Sequence, residues 1–118
     1  MKYKFEELKV WKMSLILGDH IYSIAEELPE IEKFNLRSQI VRASTSVSLN
    51  IAEGSTSQSN KEQVRFVKYA IRSLIELIAC LRIMERRGYH ETPELNNEIE
   101  QTAHNLFIKL QAFKNSIE

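Results

Sequence analysis

Residues Gln39 to Gly54, QIVRASTSVSLNIAEG, carry two rows of side chains at helical spacing. At about 100° of rotation per residue, Ile40, Ala43, Val47 and Ile51 fall on one face together with Leu36 just upstream. Gln39, Arg42, Ser46, Asn50 and Glu53 recur at steps of three and four and form a polar row about a quarter-turn away. A polar row so close to an apolar stripe has two readings. It is a hydrogen-bonded seam that fixes how this helix meets its neighbours, or it is a binding surface.

Working outward, the punctuation divides the chain into four helices. The first is expected over about residues 5–28, stopping at Pro29, and the second over about 34–53. Gly54 suits a left-handed cap after the second helix. Ser55 to Gln58 then form a short loop. Ser59 followed by Glu62 has capping-box spacing and opens a third helix over about 60–87, which Gly88 ends. Thr92 before Pro93 marks the start of a fourth helix, over about 93–117. No strand, internal repeat or linker is legible. Residues 1–118 read as one all-α domain, an antiparallel four-helix bundle in up-down-up-down order.

Each helix supplies a stripe to that core. The first offers Leu8, Trp11, Leu15, Gly18, Tyr22 and Ala25, and the third offers Val67, Ala70, Leu74, Leu77, Leu81 and Met84. The fourth offers Leu95, Ile99, Thr102, Leu106, Leu110, Phe113 and Ile117. Helices 1 and 3 also carry a surplus. Met13, Leu17, Ile21, Ile24 and Leu28 form a second row on helix 1, and Val64, Ile71, Ile75 and Ile78 widen the apolar arc of helix 3. If one core cannot bury both sets, Met13, Leu17, Ile21, Ile24, Val64, Ile71, Ile75 and Ile78 are candidates for a homo-oligomer interface. The alternative is a wide monomer core.

Sixteen basic and sixteen acidic residues cancel, so the whole chain lacks the basic balance of a dedicated nucleic-acid binder. The distribution is uneven: residues 55–88 hold seven basic and three acidic side chains, and residues 89–118 hold two and five. On helix 3, Lys61, Arg65, Lys68, Arg72, Arg82 and Arg86 share one arc with Ile75 and Ala79. Such a row could track a phosphate backbone over about 37 Å. It could equally be a solvated face, or pair with acidic helices of another subunit.

Chemistry is otherwise sparse. His20, His90 and His104 lie on separate elements without ligand spacing, and one cysteine, Cys80, can form neither an internal disulfide nor a thiolate cluster. Ser44, Thr45, Ser46 and Ser48 lack an adjoining base, and the acids at Glu26, Glu27, Glu94, Glu98 and Glu100 read as solvated. Three glycines make no phosphate loop. No catalytic residue, cofactor or metal is expected. Neither a signal peptide nor a membrane span is expected from the sequence, and the single thiol suits a cytoplasmic protein.

The motifs F-E-E-L-K-V-W (Phe5–Trp11), L-P-x-x-E-K-F-x-L-x-x-Q-I (Leu28–Ile40) and N-I-A-E-G (Asn50–Gly54), with Gln39 and Arg42, carry a resemblance. They are similar to the bacterial four-helix-bundle proteins called 23S rRNA intervening-sequence proteins, over about the first three-quarters of the chain. A related branch resembles the accessory proteins of diversity-generating retroelements, five-membered rings that bind nucleic acid and a reverse transcriptase. The resemblance implies a homo-oligomer, a pentamer, acting near RNA or DNA; it does not imply catalysis. Members commonly carry paired arginines after Q-I, but here Val41 stands first and only Arg42 remains, which weakens a phosphate-binding role for helix 2. The expectation is a non-enzymatic oligomer associated with nucleic acid through helix 3; the alternative is a protein-interaction scaffold without nucleic-acid contact.

Overall fold

The backbone N–H of Tyr3 donates to the Glu6 carboxylate at 2.7 Å, tying down a short 3-10 turn over Lys4–Glu7 that precedes the first long helix. The helix planned from residue 5 therefore begins later. In the computed structural model, which describes residues 1–89 and 93–118 and all their side chains except those of 93–95, four helices follow: α1 Lys9–Glu26, α2 Leu36–Gly54, α3 Asn60–Arg86 and α4 Pro93–Ile117. Among the described residues there is no strand. The Thr92–Pro93 start signal, His90 and the side chains of Glu94 and Leu95 lie outside the described residues.

Cross-helix contacts show that neighbours run in opposite directions. Arg37 reaches back to the carbonyl of Ala25 while Ser48 meets Ser14, so α1 and α2 are antiparallel. Gly54 lies against Phe66 and Ser46 meets Ser73, which makes α2 and α3 antiparallel. Arg82 with Glu100, and Ile75 beside Phe107, do the same for α3 and α4. His20 within 3.5 Å of Glu98 closes α4 on α1. The result is an up-down-up-down four-helix bundle.

Its core contains the predicted stripes of α2 and α3 in full, and Ile99, Leu106 and Leu110 from α4, joined by Ala103. On α1 the phase is reversed. Leu17, Ile21, Ile24 and Leu28 are buried, Met13 packs half-buried against them, and Leu15 and Tyr22 of the expected stripe are exposed. Four of the proposed interface residues, Leu17, Ile21, Ile24 and Val64, are thus buried within the single chain and are not available to a second copy. Ile71 and Ile78 are half-buried against the core, leaving Ile75 as the exposed member. The physical reason is shape. Gly18 and Ser14 let α2 approach, with Ser44 Oγ only 3.4 Å from where a Gly18 Cβ would sit. That contact turns the aliphatic row inward, and burying each such side chain contributes about 1.5–3 kcal/mol.

Two glycines play roles that their positions require. Gly54 is the last residue of α2 with ordinary helical geometry, so it is no left-handed cap. A Cβ there would lie 2.9 Å from Phe66 Cβ, so its absence permits the close crossing of α2 and α3. Gly88 has φ of 73° and does end α3, with Tyr89 N–H on the Met84 carbonyl and Gly88 N–H on that of Glu85, both at 3.0 Å. This is the left-handed Schellman stop. At the other end of α3, the Ser59 hydroxyl accepts from the Glu62 N–H at 3.1 Å.

Candidate nucleic-acid interface

The outer face of α3 exists because its inner face is so well filled. Val67, Ala70, Leu74, Leu77, Leu81 and Met84 occupy the core, which turns Lys61, Arg65, Lys68, Arg72, Arg82 and Arg86 outward, and all six are exposed. They do not stand in equivalent surroundings. Arg82 makes a two-point pair with Glu100 of α4, its second bond at 3.2 Å, and this raises the guanidinium pKa further. Arg65 lies over the ring of Phe66, 5.6 Å from its centre. Among the described residues Lys61, Lys68, Arg72 and Arg86 form no side-chain hydrogen bond or ion pair. The beginning of α3 and the end of α4 enclose an open groove of about 720 Å³ whose lining includes the cations Lys61, Arg65 and Lys68, the carboxylates Glu62 and Glu118, and Val64 and Ile117. Four adjacent unpaired or ring-stacked cations in the first half of the helix can therefore meet an anionic backbone, whereas Arg82 is already engaged.

The polar row on α2 divides. Ser46 Oγ meets Ser73 Oγ at 2.9 Å, and the Asn50 amide donates to the Ser46 carbonyl at 2.9 Å and its hydroxyl at 3.1 Å. That part is a seam between α2 and α3. Gln39, Arg42 and Glu53 are exposed and, among the described residues, form no side-chain bond. A second serine pair, Ser14 and Ser48 at 2.9 Å, bridges α1 and α2, and Ser14 also donates to the Trp11 carbonyl. These hydroxyls are consumed in packing, with no base beside them.

Two polar devices were not singled out from the sequence. Arg37 donates to the carbonyls of Ala25, Glu26 and Leu28 at 3.0–3.3 Å, capping the end of α1 with a cation where the helix dipole favours one. Glu32, in a 3-10 turn at Glu30–Glu32, accepts from the Tyr89 hydroxyl at 2.8 Å and the Asn35 amide at 3.0 Å. The Tyr89 bond is the chief cause that holds its carboxyl below the ordinary range, and the same bond raises the phenol. Glu32 belongs to the L-P-x-x-E-K-F run, so the motif was the available signal. Next to it, Ile31 and Phe34 stand out in solvent, Phe34 at 88% exposure with the Lys33 ammonium 5.4 Å from its ring centre.

Cys80 is buried, and desolvation, with the Glu76 charge nearby, pushes its thiol pKa up, which suits an inert thiol. Among the described residues no cluster of His, Cys, Asp and Glu could hold a metal ion, and no helix is long and apolar enough to cross a membrane.

Fold and surface together define a four-helix-bundle protein whose third helix presents a basic outer face. The chain belongs to the 23S rRNA-intervening sequence protein family, whose model matches residues 6–111. Among solved structures it is similar to a protein of unknown function from the S23 ribosomal protein family of Bacteroides thetaiotaomicron. That likeness has a TM-score of 0.80 at 24% identity, over 89% of this chain and 97% of the other, and shows the shared fold. Among curated proteins no match is found.

Proposed function

We propose that this chain is a non-enzymatic, homo-oligomeric bundle that associates with RNA or DNA through the outer face of α3, as a cytoplasmic pentamer. The observation that carries this reading is the run Lys61, Arg65, Lys68 and Arg72, exposed along one helix face without an internal ion pair among the described residues. The family's name points toward ribosomal RNA as the nucleic acid. Cations on a rigid helix bind phosphates through counterion release, so affinity falls steeply with salt and shows little sequence preference. In a ring, repeated modest patches act together.

Replacing Arg65, Lys68 and Arg72 with Glu should abolish binding to a structured RNA, and Arg82→Gln should do little because that side chain is held by Glu100. No binding by the wild type at about 50 mM salt, with the protein folded, would overturn the nucleic-acid reading. A protein-interaction scaffold is then favoured by a specific feature: the exposed pair Ile31 and Phe34, of which Phe34 lines a shallow groove with Lys33, Val41 and Arg42. A reverse transcriptase is one protein partner to test.

A further inference from the structure

The cation row on the first half of α3 has an aromatic ring on one flank. Lys61, Arg65, Lys68 and Arg72 follow at steps of four, three and four and span about 16 Å of helix. Toward α4 they border the groove that holds Val64 and Ile117. On the other flank, between the row and the Phe66 and Ser73 side chains that meet α2, stands Tyr69. It is 41% exposed and one turn from both Arg65 and Arg72, turned about 40° and about 60° from them. Its ring meets Phe66 edge to face with centroids 6.0 Å apart, and Arg65 lies over Phe66 in turn. Among the described residues the Tyr69 hydroxyl forms no hydrogen bond.

Carboxylates frame this face without joining the row. Glu62 and Glu76 lie two turns from Tyr69 along α3, one in each direction, and Glu53 of α2 adjoins the Gly54 that touches Phe66. Glu118, at the groove, is paired with Lys114 at 3.7 Å. None of these acids forms an ion pair with Lys61, Arg65, Lys68 or Arg72 among the described residues. Negative borders repel phosphates from the flanks and keep a polyanion centred on the cations. What lies over Tyr69 is then an uncharged part of the same ligand. A duplex keeps its bases stacked inside and leaves that ring uncovered, whereas an unpaired strand has base faces free to stack.

We infer that α3 takes an unpaired nucleic-acid strand, with phosphates along Lys61, Arg65, Lys68 and Arg72 and a base stacked on Tyr69. The inference rests on the nucleic-acid reading of the proposed function and names the form of nucleic acid. Every base has a π-face, so the ring selects unpaired strands without selecting a sequence. The cations supply the salt-dependent part of the affinity, and the ring supplies a part that salt does not screen.

Fluorescence anisotropy at about 50 mM salt tests this with an unstructured RNA about 12 nucleotides long and with the duplex it forms with its complement. Tyr69→Leu keeps apolar bulk and removes the ring. It should weaken binding of the strand about tenfold, leave duplex binding unchanged, and keep the wild-type slope of affinity against salt, because stacking releases no counterion. Tyr69→Phe should bind the strand as the wild type does. A strand of the same length and charge without bases should bind the wild type about tenfold more weakly than the intact strand, a comparison that needs no variant. Equal affinity for the intact and base-free strands, or a wild type that binds only the duplex, would overturn the stacking contact. So would a Tyr69→Leu variant, its helical circular dichroism unchanged, that binds the strand as tightly as the wild type or loses strand and duplex alike. Each of those results leaves the cation row as a phosphate site. A wild type that binds neither RNA overturns the nucleic-acid reading together with this inference.

Discussion

The hydroxyl of Tyr89 donates to Glu32 Oε2 at 2.8 Å, joining the segment after α3 to the link between α1 and α2 across 57 residues of chain. With Asn35 on the other carboxylate oxygen, the charge of Glu32 is matched on both sides. The bond fastens one end of the bundle.

Because the folded Glu32 carboxyl titrates below the ordinary value of 4.5, chiefly through Tyr89, its contribution to stability is present above that value and is lost as the pH falls through the lowered one. Glu32→Gln should therefore be less stable than wild type at neutral pH, and the difference should shrink on acidification. Urea midpoints measured from about pH 7 to about pH 3 check this; parallel curves would reject it. Tyr89→Phe should lower the neutral-pH midpoint and shrink the acid dependence in the same way.

Gly54→Ala should destabilise by about 1–3 kcal/mol, since the added methyl meets Phe66 Cβ at 2.9 Å and forces α2 from α3. The sign is informative. In an unobstructed helix the same change would stabilise by up to about 1 kcal/mol.

Asn50→Ala should cost about 1 kcal/mol, the net value of its bonds to Ser46 at a half-buried site. Ser73→Ala, which strips Ser46 of its partner, should cost a similar amount, and the double variant less than the sum of the two. Full additivity in denaturant unfolding would show that the three groups do not act as one seam.

Leu17→Ala should lower unfolding free energy by about 2–5 kcal/mol, whatever the oligomeric state, because Leu17 is buried in the bundle core. A loss of assembly without a loss of stability would return Leu17 to the surface.

Helices 2 and 3 were legible in phase because each has one dominant apolar stripe, and the burial of Leu36 to Ile51 and of Val67 to Met84 follows it. Helix 1 has two stripes at helical spacing, so periodicity alone does not decide between them, but their composition does: Met13, Leu17, Ile21, Ile24 and Leu28 are the more aliphatic set and face the core, whereas the other set includes Gly18, which lies against Ser44 of α2, and Tyr22, which is exposed. Gly54 was misread for a related reason, since a glycine at a helix end signals a left-handed turn as readily as a close crossing. The basic face of α3 was visible as a row, but the engagement of Arg82 by Glu100 required knowing which helix lies alongside. The Glu32–Tyr89 bond joins residues too distant in sequence for spacing to reveal.

Cys80 gives the bundle a built-in reporter of its own breathing. It is the sole thiol in the chain, buried on α3 and with its ionisation suppressed. A thiol-specific reagent can reach it only when α3 parts from its neighbours, so the labelling rate under native conditions measures how often the core opens. Read without any engineered probe, that rate would tell whether assembly of copies slows the opening of each bundle, linking quaternary contact to the lifetime of the fold.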